Sequence, residues 1–221
     1  MSPLEAAWFG EVLCQVPAAD LSPILNLGSS TLAYRTTERP HIERLLFRPL
    51  RERGVRILNV DLKEDRGVDI VGNILDPHVR SHIAALGVRA ILCNNLLEHV
   101  TDIRSMCEAV AATCPMSGVL GVSVPFAYPF HPDPIDNGFR PSLDELMATF
   151  APFGFRLIRG EIIRFDSYAK SIVSKPMLLI RDLYLLSVAP FNKPRRRVLL
   201  GNYGFLFRNY QVTCAVFRKD R

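Results

Sequence analysis

A short run, FHPDPID, places His131 beside the acids Asp133 and Asp136, and Arg140 follows them. An imidazole is a suitable general base for a hydroxyl group, because its unperturbed pKa lies near neutrality. We therefore predict His131 as a catalytic base, with Asp133, Asp136 and Arg140 lining a substrate site beside it. Packing within a proline-stiffened loop is the open alternative for His131, and turn formation by an Asp-Pro pair explains Asp133 equally well.

A second group of polar residues follows apolar runs that are typical of buried strands. Gly28 ends the run ILNL, Asp61 follows ILNV, and Asn94 and Asn95 follow AILC. In a doubly wound sheet, ligands bind outside the carboxyl ends of the strands, so these residues are predicted to share one rim. Glycine permits close approach of a ligand, since it has no Cβ and tolerates positive φ. A helix-cap or turn role for Asp61 is the alternative.

The sequence LEHV holds a second histidine, His99, beside Glu98. His99 is a second candidate for the base and a predicted substrate contact, although a structural role at the start of a helix remains open. Glu98 is expected to be an acid at a helix N-terminus, where the macrodipole favours negative charge.

The five cysteines show no CxxC spacing, so no metal site is predicted.

The elements that must position these residues alternate between buried strands and amphipathic helices. This alternation predicts an α/β fold: a Rossmann-like, doubly wound, mostly parallel seven-stranded sheet with helices on both faces. Ser142 and Glu145 form a candidate capping box. Strands are predicted at 23–27, 55–60, within 67–77, 88–95, 119–125, 154–165 and 211–218, and helices at 40–53, 78–86, up to Cys114 and from Ser142.

Composition limits the classes of protein. A chain of 221 residues that is 48% hydrophobic suits a single domain over 1–221. The net charge of +5 is concentrated late, in PRRR and RKDR, which argues against general nucleic-acid binding. The first residues lack the pattern of a secretory signal, and the free cysteines suit a reducing compartment, so we expect a cytoplasmic protein.

Four stretches, ILNLGSST, NVDL, CNNLLEHV and GVLGVSVP, occur in the order seen in class I S-adenosylmethionine-dependent methyltransferases. The resemblance covers roughly residues 20 to 165. The part from Asn94 to Pro125 resembles the small-molecule and glycan branch, which includes the type 11 methyltransferases. The resemblance implies S-adenosylmethionine as cofactor and a set of cofactor-binding residues: Asn26, Gly28, Ser29, Ser30, Asp61, Leu62, Asn73, Ile74, Asn94 and Asn95.

The first loop departs from the family pattern acid-x-Gly-x-Gly-x-Gly. Asn26, Gly28, Ser30 and Leu32 occupy the corresponding places. The serines still carry hydroxyl and backbone N–H donors, whereas Leu32 is expected to crowd a closely bound cofactor. Asn73 stands where relatives often have an aspartate that accepts from the adenine amino group.

These observations predict methyl transfer to a small-molecule or glycan-like acceptor, at oxygen. The alternative is a catalytically degenerate scaffold or binding protein in a biosynthetic complex, since the loop has lost an acid and two glycines. A nicotinamide-dependent dehydrogenase is disfavoured, because GSST is not GxGxxG. A nucleic-acid methyltransferase is disfavoured because NNLL replaces a tetrad such as NPPY.

An apolar and basic insert is predicted at about 166–198. Its apolar run, MLLIRDLYLLSVAPF, is too short to span a bilayer and carries Arg181 and Asp182 near its centre. The stretch 171–197 is either a peripheral membrane contact on the inner face of the membrane, with Lys193 and Arg195 to Arg197 facing anionic lipid, or a helix that covers the sheet or closes a homodimer. The second interpretation is favoured.

Overall fold

The structure is a computed structural model that describes residues 1–133, 135–188 and 193–220. Within these residues, seven strands form one sheet in the order β3-β2-β1-β4-β5-β7-β6. Strand β7 is antiparallel to both of its neighbours, and the other pairings are parallel. The predicted Rossmann-like sheet is thereby confirmed. The strands are β1 (Ile24–Leu27), β2 (Ile57–Asp61), β3 (Ile70–Val71), β4 (Ala90–Asn94), β5 (Val119–Pro125), β6 (Phe155–Ser167) and β7 (Asn209–Lys219).

Helices pack on both faces of this sheet, and each face has its own apolar core. Fully buried aromatic side chains fill both cores, among them Phe9 and Phe47 on one face and Phe150 and Phe217 on the other. The helices are α1 (Pro3–Cys14), α2 (Ala18–Leu21), α3 (Pro40–Ile42), α4 (Arg48–Glu52), α5 (Pro77–Ala85), α6 (Ile103–Thr113), α7 (Leu143–Phe150), α8 (Tyr168–Ser174), α9 (Met177–Val188) and α10 (Lys193–Gly204).

The single helix predicted at 40–53 is instead a series of short α and π turns that begins at Tyr34. Pro49 explains part of the difference, because proline has no N–H to donate to the carbonyl of Leu45 and its ring clashes with that carbonyl. A π turn, Glu43–Phe47, lies just before it and widens the helix. The predicted capping box at the start of α7 is present, with Ser142 and Glu145 each accepting from the other's backbone N–H.

Between β6 and β7 the chain forms α8, α9 and α10, so the predicted insert is largely helical. The charged pair near the centre of α9 anchors the helix: Asp182 is buried and accepts from the Tyr168 hydroxyl and from Arg181. The other side of α9 leaves large apolar side chains exposed. Among the described residues, no helix is both long enough and apolar enough to cross a membrane.

Candidate functional site

The loop that follows β1, residues 28–32, turns its backbone donors inward. The N–H groups of Gly28 and Ser29 both donate to the carbonyl of Val60, and the N–H of Ser30 donates to Asp61 Oδ2 at 2.7 Å. Gly28 and Ser30 have φ values of 69° and 53°, a region that costs little for glycine and is uncommon for serine. The loop is thus closed on β2 by its own hydrogen bonds, and the Ser30 hydroxyl makes none within the described residues.

A buried arginine that sequence reasoning missed holds this loop in place. Arg35 is 3% exposed, and its guanidinium donates to the carbonyls of Ser29, Ser30 and Gly67 at 2.8, 2.7 and 2.6 Å. The planar fork of an arginine suits several acceptors at once. The Cβ of Leu32 lies close to Gly67, where an added Cβ would lie 2.6 Å from it. Arg35 therefore fixes the conformation of the loop through its carbonyl groups.

Asp61 lies at the carboxyl end of β2, half-buried, as predicted. Its Oδ1 accepts from the Lys63 N–H at 3.1 Å while its Oδ2 is engaged by Ser30. A carboxylate has about four acceptor positions, so two remain for a ligand hydroxyl pair. Leu62, the next residue, is 71% exposed. An acid with spare acceptor positions and an exposed apolar side chain therefore stand side by side on the rim.

Asn26 lies beneath the rim. It is 7% exposed, and its Nδ2 donates to Asn59 Oδ1 at 3.1 Å. Asn59 in turn donates to Asp69 from both its backbone and its side chain. The Asn26 side chain thus belongs to a polar network that joins β1 to β2, a role in which an amide serves better than an acid because it can donate.

The predicted adenine contacts after β3 lie in a tight turn. Asn73 Oδ1 accepts from the Leu75 N–H at 3.0 Å, which is an Asx turn, and the Ile74 side chain is 2% exposed. Only backbone atoms of Ile74 are thus placed to meet a ligand. Asp76, which follows in the chain, caps α5 by accepting from the His78 N–H.

The asparagines at the end of β4 meet a buried acid from α1 that was not predicted. Glu5, 1% exposed, accepts from Asn95 Nδ2 at 2.7 Å and from the Ser123 hydroxyl at 2.5 Å. The same hydroxyl lies 3.2 Å from Asn94 Oδ1. Helix α1 therefore closes over the ends of β4 and β5. The only local signal in the sequence was the capping box that Glu5 forms with Ser2.

On the acceptor side, residues 126–133 and 135–141 form a loop after β5, here called the 126–141 loop. Asp136 accepts from the His131 N–H and the Gly138 N–H and from Arg140 at 2.6 Å. Burial alone would raise the pKa of Asp136, but these hydrogen bonds outweigh it and hold the pKa at about 2. Asp136 and Arg140 thus brace the loop around His131, whereas Asp133 is exposed.

Asn137 ties this loop to the end of β4. Its Nδ2 donates to the carbonyls of Leu97 and Val100, and its N–H donates to the carbonyl of Glu98. Sequence reasoning missed this residue, although the Asn-Gly pair at 137–138 signals a turn. The contact brings His131 to the 3₁₀ turn Leu97–His99.

Glu98, His99 and His131 meet there. Glu98 Oε1 lies 3.8 Å from His99 Nε2 and 4.0 Å from His131 Nε2, and the two rings are T-shaped at 5.2 Å. Glu98 was expected to be an acid at a helix N-terminus; it lies within the 3₁₀ turn and is 0% exposed. Burial raises its pKa to about 8, and burial lowers the pKa of His131. At neutral pH a protonated carboxyl thus faces two imidazoles, of which His131 is neutral.

The insert reaches this loop through α10. The guanidinium of Arg197 lies 3.9 Å from the centroid of the Phe130 ring, and a Cβ on Gly201 would lie 3.3 Å from Pro129 Cβ. Helix α10 therefore packs on the 126–141 loop beside His131. The side chains of Lys193 and Arg195, which the membrane prediction used, lie outside the described residues.

One groove elsewhere contains none of the predicted site residues. It lies at the amino end of β5, between α6, α7 and the ends of the β6–β7 pair, and its lining includes Met147, Phe153 and Lys219. In this sheet topology ligands bind at the opposite, carboxyl ends of the strands. We therefore place the candidate site at the rim rather than in this groove.

No family model matches the chain, and no curated protein matches it in sequence. Solved structures do match over nearly its whole length. A protein from Galdieria sulphuraria described as a sarcosine dimethylglycine methyltransferase is 15% identical with a TM-score of 0.58, covering 98% of this chain and 85% of its own. A SAM-dependent methyltransferase from Archaeoglobus fulgidus is 13% identical with a TM-score of 0.55, covering 99% and 95%.

The cyclase SpnF matches as well, at 10% identity and a TM-score of 0.53, covering 96% of this chain and 80% of its own. The shared architecture thus serves more than one chemistry, so activity must be argued from the site. The strand order, the antiparallel β7 and these similarities agree on one architecture. The chain has the fold of the class I S-adenosylmethionine-dependent methyltransferases.

Proposed function

We propose that this protein is an S-adenosylmethionine-dependent methyltransferase that acts on an oxygen atom of a small-molecule or glycan-like acceptor. The observation that carries the proposal is the position of Asp61. It stands at the carboxyl end of β2, facing the loop after β1, with acceptor positions left over after it has engaged the Ser30 and Lys63 N–H groups. In this fold, that edge of the sheet is where a nucleoside is bound.

The residues at the rim fit an adenosine. The spare acceptor positions of Asp61 suit two ribose hydroxyls, the exposed Leu62 offers an apolar surface to a flat base, and Asn73 with Ile74 stands at the far end. Gly28 and the free Ser30 hydroxyl would face the amino-acid end, next to Asn94 and Asn95. When bound, the cofactor supplies an electrophilic methyl group. The chain's own part is to align an acceptor with it and to remove the acceptor's proton.

His131 is proposed as the residue that takes this proton. Its Nδ1 lies 3.1 Å from the Pro129 carbonyl, so the Nδ1 hydrogen is donated there and Nε2 carries the lone pair. Burial lowers its pKa, which keeps the ring neutral and able to accept at physiological pH. Asp136 and Arg140 hold the loop, and His99 and the exposed Asp133 would contact the acceptor. A base at this position suits a hydroxyl acceptor, whose proton must be removed as the new O–CH3 bond forms.

A non-catalytic relative is the second candidate, and the loop after β1 favours it. The N–H groups of Gly28, Ser29 and Ser30 are all used within the protein. A Cβ on Gly28 would lie 3.1 Å from Leu96 Cδ1, so the Leu96 side chain covers the glycine that should admit the cofactor. Under this alternative the rim is closed, and the fold persists as a binding module in a biosynthetic complex.

Calorimetric titration with S-adenosylmethionine and S-adenosylhomocysteine separates the two. The proposal expects micromolar binding that is weakened in Asp61→Ala and unchanged in Asp65→Ala, which removes an exposed acid from the neighbouring turn. Absence of binding to folded protein at millimolar ligand would instead support the non-catalytic relative.

The partner predictions for the insert stay proposals: a peripheral membrane contact through 171–197 or a homodimer, for a cytoplasmic protein. The exposed apolar side of α9, which includes Ile180, Leu183 and Leu186, suits either partner. Flotation with anionic and with neutral liposomes tests the first, using Arg196→Glu because Arg196 is exposed. Light scattering after gel filtration tests the second. Flotation that charge reversal does not change would exclude electrostatic membrane attachment.

A further inference from the structure

Glu98 is an unusual carboxyl group because none of the described residues donates a hydrogen bond to it. It is 0% exposed, and neither Oε1 nor Oε2 has a hydrogen-bond partner; among the described residues these are the only buried side-chain polar atoms in that position. A buried polar group without a partner costs free energy and is rare in folded proteins. The lack of a partner for Glu98 therefore raises the question of which ligand its carboxyl group binds.

Two imidazoles point at this carboxyl group. His99 Nδ1 lies 2.6 Å from the Ile135 carbonyl, and His131 Nδ1 lies 3.1 Å from the Pro129 carbonyl. Both Nδ1 atoms are thus donors, which leaves the two Nε2 atoms with lone pairs, 3.8 and 4.0 Å from Glu98 Oε1. Backbone carbonyls that fix the tautomer in this way are the usual outer partners of histidines that bind metal ions.

The distances suit an ion better than direct hydrogen bonds. Separations of 3.8 and 4.0 Å between Glu98 Oε1 and the two Nε2 atoms are too long for hydrogen bonds. One ligand atom from each of the three residues lies within 4.8 Å of the other two. For a triangle with these sides, a point equidistant from the three atoms lies about 2.5 Å or less from each, near the 2.0–2.2 Å typical of Zn²⁺ ligands.

We infer that Glu98, His99 and His131 form a binding site for a divalent transition-metal ion, with zinc the best-suited probe. Two imidazoles and one carboxylate are a donor set that zinc and iron(II) accept, and such three-residue sites leave positions open for water or substrate. The side chain of His131 is 34% exposed, which provides the open side, whereas that of Glu98 is 0% exposed. The cysteine spacing, on which the sequence-based expectation of no metal rested, has no bearing on this cluster.

The inference goes beyond the proposed function and does not depend on it. A bound ion would occupy the Nε2 lone pair that the proposed base needs, so metal occupancy and proton removal by His131 are alternatives at one atom. An ion there would itself lower the pKa of a bound hydroxyl group. The two roles are therefore separable by experiment.

The test is zinc titration of the chelator-stripped full chain, with metal content per chain measured after dialysis. Adventitious sites are removed first. His78 and His82 are exposed one turn apart on α5, and Cys14 is the one cysteine that is not buried, so all measurements use a background with His78→Gln, His82→Gln and Cys14→Ser. In it we expect one zinc per chain, and cobalt(II) in place of zinc should give the visible absorption of a site with nitrogen and oxygen ligands.

Glu98→Gln, His99→Gln and His131→Gln, each in this background, should weaken zinc binding by at least tenfold, since even loss of an outer partner of a ligand typically costs 10–100-fold. Thermal melting of each metal-free variant checks that it is folded. No zinc binding in the background, or binding that survives all three substitutions, would overturn the inference. Titration of S-adenosylmethionine on the same preparation keeps the proposals apart, because zinc binding without cofactor binding contradicts only the proposed function.

Discussion

Two polar regions stand at the carboxyl ends of the strands, and they treat their hydrogen-bonding groups in opposite ways. The loop after β1 uses every backbone donor from Gly28 to Ser30 internally, and Arg35 satisfies its carbonyls. The cluster of Glu98, His99 and His131 leaves a buried carboxyl group and two imidazole lone pairs without hydrogen-bond partners among the described residues. The first arrangement fixes a shape before any ligand arrives, whereas the second requires a ligand or a proton.

The difference shows how one rim can combine rigidity with reactivity. A loop whose polar groups are already hydrogen-bonded within the protein forms few new hydrogen bonds to a ligand. Ligand binding there must therefore rest on the acceptor positions left on Asp61 and on apolar contact. Unsatisfied groups have much to gain, since each hydrogen bond or metal bond removes part of a desolvation cost already present in the folded chain.

The largest effect on activity is expected at His131, the proposed base for the acceptor. His131→Ala should lower methyl-transfer turnover by about 10²–10⁴-fold, the usual contribution of a general base, while leaving the affinity for S-adenosylmethionine nearly unchanged. Single-turnover kinetics in the presence of chelator, beside calorimetry, provides the measurement. His82→Ala, on the exposed side of α5, is the matched control. An unchanged rate in His131→Ala would show that His131 packs within the loop and does not act as the base.

Arg35→Met tests the loop after β1, whose polar groups are hydrogen-bonded within the protein. It removes the donor from three carbonyls, and we expect the free energy of unfolding to fall by about 2–4 kcal/mol, because buried acceptors without partners cost about 1–3 kcal/mol each and some regain water. Urea denaturation measures this loss. Arg39→Met changes an exposed arginine a few residues away and should stay within about 0.5 kcal/mol of the parent. Equal effects of the two substitutions would show that Arg35 does not hold the loop.

Asp61→Ala should weaken S-adenosylmethionine binding by about 1.5–3 kcal/mol, the range for hydrogen bonds to a charged group. Part of any loss in stability would come from the freed Ser30 N–H, so affinity and thermal melting must be measured together. Unchanged affinity in a folded Asp61→Ala protein would exclude a ribose contact at this residue.

In the metal-free chain, the pH dependence of the free energy of unfolding reports the ionisation of Glu98. Its pKa rises from 4.5 to about 8 on folding, so between these values the folded chain keeps a proton that the unfolded chain has released. The stabilisation is complete below about pH 4.5 and is lost as the pH rises towards 8, with a slope of at most about 1.4 kcal/mol per pH unit for one proton.

Glu98→Gln should flatten that slope in urea denaturation measured from pH 5 to 8 with chelator present. His99 and His131 lie within 4.0 Å of the carboxyl group, and Arg140 and Glu5 act on it electrostatically, so the variant must be compared with the parent rather than with a theoretical curve. A parent whose stability does not depend on pH in this window would show that Glu98 is ionised, and therefore already partnered, in solution.

Much of the fold could be predicted from the sequence, because its strands are short apolar runs ended by turn residues. β5 was predicted with its observed bounds, and the α7 capping box was predicted to the residue. The helix from Tyr34 to Glu52 was predicted less well, since Pro49 alters the hydrogen bonding locally while the apolar spacing stays helical. Apolar patterning reports burial, and it does so whichever helical geometry the chain adopts.

The candidate site could be predicted only in outline. The position of Asp61 follows from the end of one strand, but Arg35, Glu5 and Asn137 act through partners 32, 90 and 40 residues away in the chain. No local pattern records such pairs. The inward direction of the donors from Gly28 to Ser30 was equally hidden, because it depends on where Val60 and Asp61 lie in the neighbouring strand.

The sequence by itself determined which segments are buried, and so which polar residues stand together on one rim, because strand ends in a parallel sheet must coincide. The tertiary structure alone decided what these residues face. Glu98 looks like an ordinary helix-end acid until Asn137 draws the 126–141 loop onto the end of β4. Only then is its carboxyl group removed from water and placed before His131, because burial is a property of packed segments and not of any one of them.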